Sequence, residues 1–464
     1  MQAFNPYLPS WEYIPDGEPR VFGDRVYVYG SHDHFNAPIF CVGDYVCWSA
    51  PVDNLKDWRY DGVIYRKNQD PKNKLGLRLL FAPDVVQGSD GRYYLYYAFD
   101  FMGIIGVAVS SEPAGPYEFY GHVHYKDGAV WGRKKGDQFP FDPGVLVDDD
   151  GSVYLYSGFY MPTPSIATGF VKLKNDGGVV VGLEKDMVTI KTAPKLLFPK
   201  QGKGAFENHE FFEASSIRKD AGKYVFVYSS RHNHELCYAV SDYPDRGFQF
   251  GGTLVDQGDM FLDGNTDESK AHNYLGNTHG GMLNIGQEWF IFYHRQTNQH
   301  SYSRQACAEK LERVAPGCFK QAEVTSCGLN GGPLKGKGEY EARIACNLWS
   351  KNGVARYDQK FDKKAHPYFT QTGKDRMEHG DQYIANMRDG ATAGFKYFLF
   401  DGTERRISVA GQGNGVVRVS DEKKQLAVVP VNGIAEFNVE AGVHPLYFTY
   451  EGKDAMNFVS FSIE

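Results

Sequence analysis

Five stretches of this chain set an acid or a histidine at nearly the same distance ahead of a turn. They are Glu18 in GEPRVF, Asp84 in APDVVQ, Asp142 in FDPGVLV, Glu213 in FEASSI and His279 in THGGML. Carboxyl groups brought together in unlike surroundings divide into an acid and a base, because the more desolvated one keeps its proton. Glu213 is the candidate acid: it follows Phe211 and Phe212 and precedes Ala214, Ser215, Ser216 and Ile217, and apolar surroundings raise a carboxyl pKa. Asp84 and Asp142, each beside a proline, also fit turn or capping acids. His279 fits a core histidine or, on an axis, one that holds a water or a metal. The chain shows no phosphate-binding glycine loop and no Cys/His pair of catalytic spacing. Acids and aromatics lining one funnel suit hydrolysis of a neutral polar polymer such as a sugar chain. If one carboxylate activates a water while the other protonates the leaving oxygen, the two lie about 6.5 to 9.5 Å apart and the anomeric configuration inverts.

The elements that would converge these residues are legible as a repeat. A turn followed by an aromatic strand recurs as FGDRVYVYGSHD from Phe22, SDGRYYLYYAFD from Ser89, DDGSVYLYSG from Asp149, DAGKYVFVYSS from Asp220 and NIGQEWFIFYHR from Asn284. The spacing of about 60 to 70 residues suits four-stranded propeller blades with long loops, and five echoes predict five blades. The first strand of each blade would lie beside the central axis, so its leading residues would meet at one end of the channel. Composition agrees: 15% of the 464 residues are aromatic, with 31 Tyr, 32 Phe and 52 Gly, a mixture of strand and turn formers that predicts an all-β chain. A net charge of -7 and the lack of a long Lys/Arg run argue against nucleic acid as a partner. No stretch is long and apolar enough to span a bilayer, and the first residues lack a basic segment followed by an apolar run, so a cytoplasmic location is expected. The seven cysteines are scattered and odd in number, which predicts buried thiols rather than a disulfide framework or a zinc site of thiolates. Oligomeric state is left open, a homo-oligomer included.

Taken as a set, Glu18-Pro19, FAPDVV from Phe81, FDPGVLVDDDG from Phe141, FFEASSIRK from Phe211, NTHGGML from Asn277, FYHR from Phe292 and YSRQ from Tyr302 resemble family 43 glycoside hydrolases, in order over roughly residues 5 to 315. The resemblance implies an inverting, exo-acting hydrolase on a five-bladed propeller, of β-xylosidase or α-L-arabinofuranosidase type, acting on an oligosaccharide or polysaccharide. It implies Glu213 as general acid and Asp142 as the residue that orients it and tunes its pKa. Arg304 would clamp Asp142 or a substrate hydroxyl, and His279 would neighbour a calcium or water in the channel. The general base of the family is an Asp followed by Pro, where this chain has Glu18-Pro19; the extra methylene shifts a carboxylate by about 1.5 Å. Glu18 is the favoured base, Asp16 is its rival, and a third reading has no protein base. Asp84, Arg295 and Phe159 join Arg304 and His279 as substrate-binding candidates. Phe99, Phe101, Trp131 and Tyr160, like Phe159, are either sugar-stacking or blade-packing residues, and Asp33, His32 and Asp100 close strands that follow the turns. Rival functions are an exo-galactosidase, a phosphorylase disfavoured by its need for more cations near the acid, and a non-catalytic glycan-binding protein with an impaired base.

Beyond Arg313 the pattern changes. APGCFK and CGLNGGPLKGKG are glycine-rich, which divides the chain into a propeller over 1–318, a linker or crossing segment over 319–337 and a second unit over 338–464. That unit alternates apolar and polar residues between turns and predicts a jelly-roll-like β-sandwich. Its ending, GVHPLYFTYEGKDAMNFVSFSIE, resembles family 6 carbohydrate-binding modules, which implies glycan binding and a structural calcium. A purely structural brace is the alternative.

Overall fold

The computed structural model describes residues 2–199, 206–359, 362, 364–376 and 380–464. Five antiparallel sheets follow one another, each a meander in chain order. The first holds β1 (Glu18–Phe22), β2 (Arg25–Tyr29), β3 (Tyr45–Pro51) and β4 (Arg59–Tyr65). The second holds β5 (Leu80–Gln87), β6 (Tyr93–Phe99), β7 (Ile105–Ser110) and β8 (Glu118–His122). The third holds β9 (Gly144–Val147), β10 (Val153–Ser157), β11 (Gly177–Leu183) and β12 (Ile190–Pro199). The fourth holds β13 (Phe211–Asp220), β14 (Lys223–Ser230), β15 (Glu235–Ser241) and β16 (Gln249–Asp256), and the fifth β17 (Met282–Ile285), β18 (Glu288–Gln296) and β19 (Arg304–Leu311). Strands β1, β5, β9, β13 and β17 each touch the next, and β17 returns to touch β1. The ring is therefore closed, and the chain forms the five-bladed propeller its repeats predict. Each echo is the first hairpin of a blade; Gly23, at φ 62, occupies the left-handed corner between β1 and β2.

The second strands read as nearly unbroken apolar runs because both of their faces are buried. In β6, Tyr94 and Tyr96 pack toward the third blade with Val145, Leu155 and Val181. Their neighbours Leu95 and Tyr97 pack toward the first blade with Tyr29, Tyr45 and Cys47. The same alternation sends Phe226 and Tyr228 of β14 to the third blade and Val225 and Val227 to the fifth. A fifth contact of this kind closes the circle, where Val26 and Val28 of β2 meet Leu283, Phe290 and Phe292. A strand with period-2 side chains thus serves two inter-blade cores. Phe99 and Trp131 lie in these cores, 1% and 0% exposed, and are packing residues.

The second unit is a β-sandwich. One sheet runs through Thr392–Phe400, Gly442–Glu451, Val416–Ser420 and Gln425–Pro430; the other through Tyr368–Gln371, Gln382–Met387, Met456–Ile463 and Arg406–Gln412. Phe395, Phe448, Phe458 and Phe461 form its centre. The stretch 319–337 is bonded on both sides: Ala322 N–H donates to Leu254 O (2.8 Å), Val324 N–H to Asp259 (2.8 Å) and Ser326 N–H to Lys396 O (2.7 Å). Leu334–Lys335 then pairs in parallel with Phe398–Leu399. Among the described residues no helix is long and apolar enough to cross a membrane.

Candidate active site

A positive-φ residue marks a corner at the entry to the innermost strand of several blades: Asp16 (φ 58) and Asp142 (φ 47) two residues before β1 and β9, and Ala214 (φ 70) and Ala82 (φ 20) at bulges in the first half of β13 and β5. Non-glycine residues seldom adopt this conformation, and here it recurs where the strands converge. These corners set the register of the site. Asp16 and Asp142, at the corners, line a pocket of ≈ 580 Å³ at the mouth of the channel, together with Glu213, His279 and Arg304.

Glu18 and Asp84 stand two residues past their corners, and neither lines this pocket. This corrects their placement at the site. Glu18 is 3% exposed and bound by Arg218 (2.6 Å) and by the Ser216 hydroxyl (3.0 Å). A side chain on Gly281 would collide with its carboxylate, so the glycine leaves room for that ion pair. Asp84 takes a two-pronged bond from Arg20 (2.9 and 2.6 Å) and a third from Val145 N–H (2.7 Å). The extra methylene at Glu18 therefore has no bearing on the pocket: its carboxylate is held inside the channel by Arg218 and, at 3.6 Å, by Arg20.

The pocket carboxyls sit in three different electrostatic situations. Burial would raise Asp16, but the Arg304 guanidinium (2.9 Å), with His279, outweighs it and holds the carboxyl below its ordinary range. Arg304 is in turn fixed by a forked bond to Asp33 (2.8 and 3.1 Å), so its expected clamp on Asp142 is replaced by Asp16 and Asp33. Burial raises Asp142, partly offset by His279 at 3.4 Å. Glu213 is pushed well above the usual carboxylate range, first by burial and then by the negative charges of Asp142 and Asp16. The backbone joins these two: Ala214 N–H donates to Asp142 (3.2 Å) beside Glu213. His279 is desolvated, yet Asp142 and Asp16 raise it to about 9. His294 is driven the other way, to about 3, by burial and by Arg304. As a neutral ring it accepts the Asp16 N–H (3.3 Å) and donates to Asn277 O (2.8 Å), which anchors the Asp16 corner.

Aromatic rings form one wall. Phe81 meets Phe141 (5.5 Å), Phe141 meets Phe159 (4.9 Å) and Phe159 meets Phe212 (5.9 Å). Phe101, half exposed, lines the same space, as does Asp100, which also accepts from Leu79 N–H (2.7 Å). Tyr160 stacks on Phe212 behind it. Arg295 lies elsewhere: it donates to the carbonyls of Ala345 (3.0 Å) and Arg343 (2.7 Å) and covers the Phe369 ring, so it joins the two units and does not reach the pocket. His32 is likewise turned away, onto Glu12 and Asp44 O. Residues that the sequence reading did not single out complete the lining: Ile39 and Phe40, Asn233, and Tyr357 from the second unit. Nothing in the repeat could reveal Tyr357, which belongs to the other unit.

Calcium takes six to eight oxygen ligands. His279 offers nitrogen, its Nδ1 faces Asp142, and the carboxylates deeper in the channel are already neutralised by Arg20 and Arg218. Among the described residues neither His279 nor the stretch from 338 onward belongs to a converging group of three His, Cys, Asp or Glu donors. The side chains around His279 supply too few free oxygen donors to hold a calcium ion by themselves.

A family model described as glycosyl hydrolases family 43 matches residues 15–319. A xylosidase/arabinosidase from Thermoclostridium stercorarium is 47% identical over 100% of this chain and 99% of its own. The structure of an arabinoxylan arabinofuranohydrolase from Bacillus subtilis, in complex with cellotetraose, matches with a TM-score of 0.54 at 20% identity, over 99% of this chain and 97% of that one. A β-xylosidase/α-arabinofuranosidase from a compost microbial metagenome, in a calcium-free form with xylotriose, matches with a TM-score of 0.52 at 23% identity, over 69% of this chain and 97% of that one. The two structural likenesses bear on the fold.

Proposed function

This chain belongs to family 43 of the glycosyl hydrolases, and from that premise we propose that it removes terminal arabinofuranosyl or xylosyl residues from plant-derived oligosaccharides with inversion of configuration. The observation that carries this reading is the pairing, in one pocket, of a carboxylate held ionised at Asp16 with a carboxyl held protonated at Glu213. Hydrolysis needs that division of labour. Glu213 donates its proton to the leaving glycosidic oxygen. Asp16 accepts a proton from the water that attacks the anomeric carbon from the opposite face. Arg304 keeps Asp16 charged and aimed, and Asp142 keeps Glu213 protonated until the bond breaks. Protonated His279 lies between Asp142 and Asp16 and limits their mutual repulsion. The phenylalanine wall offers a stacking face for the sugar. No step passes through calcium.

Specificity for pentosides is supported by the name of the relative that is 47% identical. The sandwich acts as a brace rather than a separate glycan-binding module; its support is the buried bonding of Arg295 and the reach of Tyr357 into the pocket. The test is turnover of nitrophenyl α-L-arabinofuranoside, β-D-xyloside and β-D-galactoside, with the anomer of the released sugar followed by NMR. Pentoside turnover with inverted product is expected. Turnover of the galactoside alone, or retained configuration, would overturn the reading.

A further inference from the structure

The turn joining β14 to β15 reads Arg231-His232-Asn233-His234, and the hydrolytic pocket uses only Asn233. Asn233 takes a left-handed conformation (φ 70), and on its other side the donor atoms of His232 and His234 gather with that of Glu268, all within 4.8 Å of one another. His234 is 1% exposed. Its Nδ1 is bonded to the Asp256 carboxylate (2.5 Å), while its Nε2 is buried without a hydrogen-bond partner and stands 3.7 Å from Glu268 Oε1. A carboxylate on Nδ1 fixes the tautomer whose Nε2 carries a lone pair, the arrangement that prepares an imidazole to ligate a metal. A lone pair and a carboxylate oxygen facing each other across that gap call for a cation between them. The other oxygen of Glu268 is held by Arg356, which leaves Oε1 available.

We propose that His232, His234 and Glu268 form a second site that binds a divalent transition ion of the zinc class, with water completing a tetrahedron. Two imidazoles and one carboxylate are a donor set for zinc rather than for calcium. A tetrahedral ion about 2.0 to 2.2 Å from each ligand holds its ligand atoms about 3.3 to 3.6 Å apart, close to the separation of His234 and Glu268. The neighbouring trio of His209, His232 and Glu235 is a weaker candidate. Glu235 already accepts from His209 Nδ1 (3.0 Å), the Ser230 hydroxyl (2.6 Å) and the Thr253 hydroxyl. The ion would clip the hairpin turn that carries Asn233 to the short helical turn Glu268–Lys270, and so would steady one edge of the pocket from behind.

The full-length protein, stripped with chelator, would be titrated with Co²⁺ and then Zn²⁺. One equivalent of Co²⁺ with the visible spectrum of a four-coordinate ion, displaced by Zn²⁺, is expected, with a rise in Tm of about 3 °C or more at saturating Zn²⁺. His234 is packed against Asp256 and its loss could unfold the turn, so His232→Gln and Glu268→Gln are the variants of choice. Each should weaken binding by about tenfold or more while leaving the circular dichroism of the metal-free protein unchanged. Absence of stoichiometric binding by the wild type, or wild-type affinity in both variants, would overturn the site.

Discussion

At Asp16 a charged guanidinium holds the carboxyl ionised, and at Glu213 burial beside two other acids keeps the proton on. Replacing Asp16 by Asn removes the only group assigned to activate water, and kcat should fall by about 10²- to 10⁴-fold. Glu18→Gln should behave differently, because Glu18 compensates Arg218 and Arg20 inside the channel. It should leave kcat within a few-fold and instead cost about 3 kcal/mol or more of stability, since a buried guanidinium loses its counter-charge. Steady-state kinetics and thermal melts on the two variants separate these outcomes; a kcat collapse in Glu18→Gln at wild-type Tm would return the base to Glu18. For Glu213→Gln, glycosides with poor leaving groups should lose about 10²- to 10⁴-fold, and nitrophenyl glycosides much less, because they need little protonation. The same residue sets the pH profile. Its folded-state pKa lies above the ordinary value, so activity is full while Glu213 holds its proton and declines as pH rises through that pKa. That alkaline limb should vanish from the profile of Glu213→Gln.

Strands with two buried faces explain both the stability of the blades and their appearance in the sequence. Phe226 of β14 is fully buried against Tyr156, Phe198 and Phe248. Phe226→Ala should cost about 3 to 5 kcal/mol, read as a fall in Tm or in denaturant midpoint, without changing the pH profile. The turns and second strands were legible because a strand buried on both sides must be apolar throughout and must be bounded by glycine or acidic corners. The entry to each first strand was not. An offset of two residues moves a side chain by about 6.6 Å along a strand and returns it to the same face, so Asp16 and Glu18 look equivalent to any period-2 reading. The left-handed corner that distinguishes them leaves no mark in a residue as permissive of that conformation as aspartate.

The two units share buried polar contacts. Lys396 reaches Asp259 (3.0 Å) and Glu323 (2.7 Å), Arg376 reaches Glu12, and the Tyr13 hydroxyl donates to Gln371 (2.5 Å). A chain ending at 337 would leave Arg295 without the Ala345 and Arg343 carbonyls and would remove Tyr357 from the pocket. Unmet buried donors cost about 1 to 3 kcal/mol each. The truncated chain should therefore be recovered poorly folded, as judged by size-exclusion chromatography and near-ultraviolet circular dichroism. A monodisperse truncated protein with unchanged kcat/KM would contradict the role of the sandwich as a brace.

Blade number, the all-β class, the sandwich and the place of Asp142 and Glu213 where the innermost strands converge were determined by the sequence itself, because each follows from a local pattern: a repeat, an alternation, a residue at a fixed distance ahead of a turn. Tertiary structure alone decided that Asp16 and not Glu18 faces the pocket, that Arg304 serves Asp16 and Asp33, that Arg295 belongs to the seam between units, and that Tyr357 joins the site. Those outcomes depend on which partners arrive from other blades and from the second unit. Charge pairing across a sequence separation of hundreds of residues, as between Asp16 and Arg304, is settled by where closure of the ring puts each side chain.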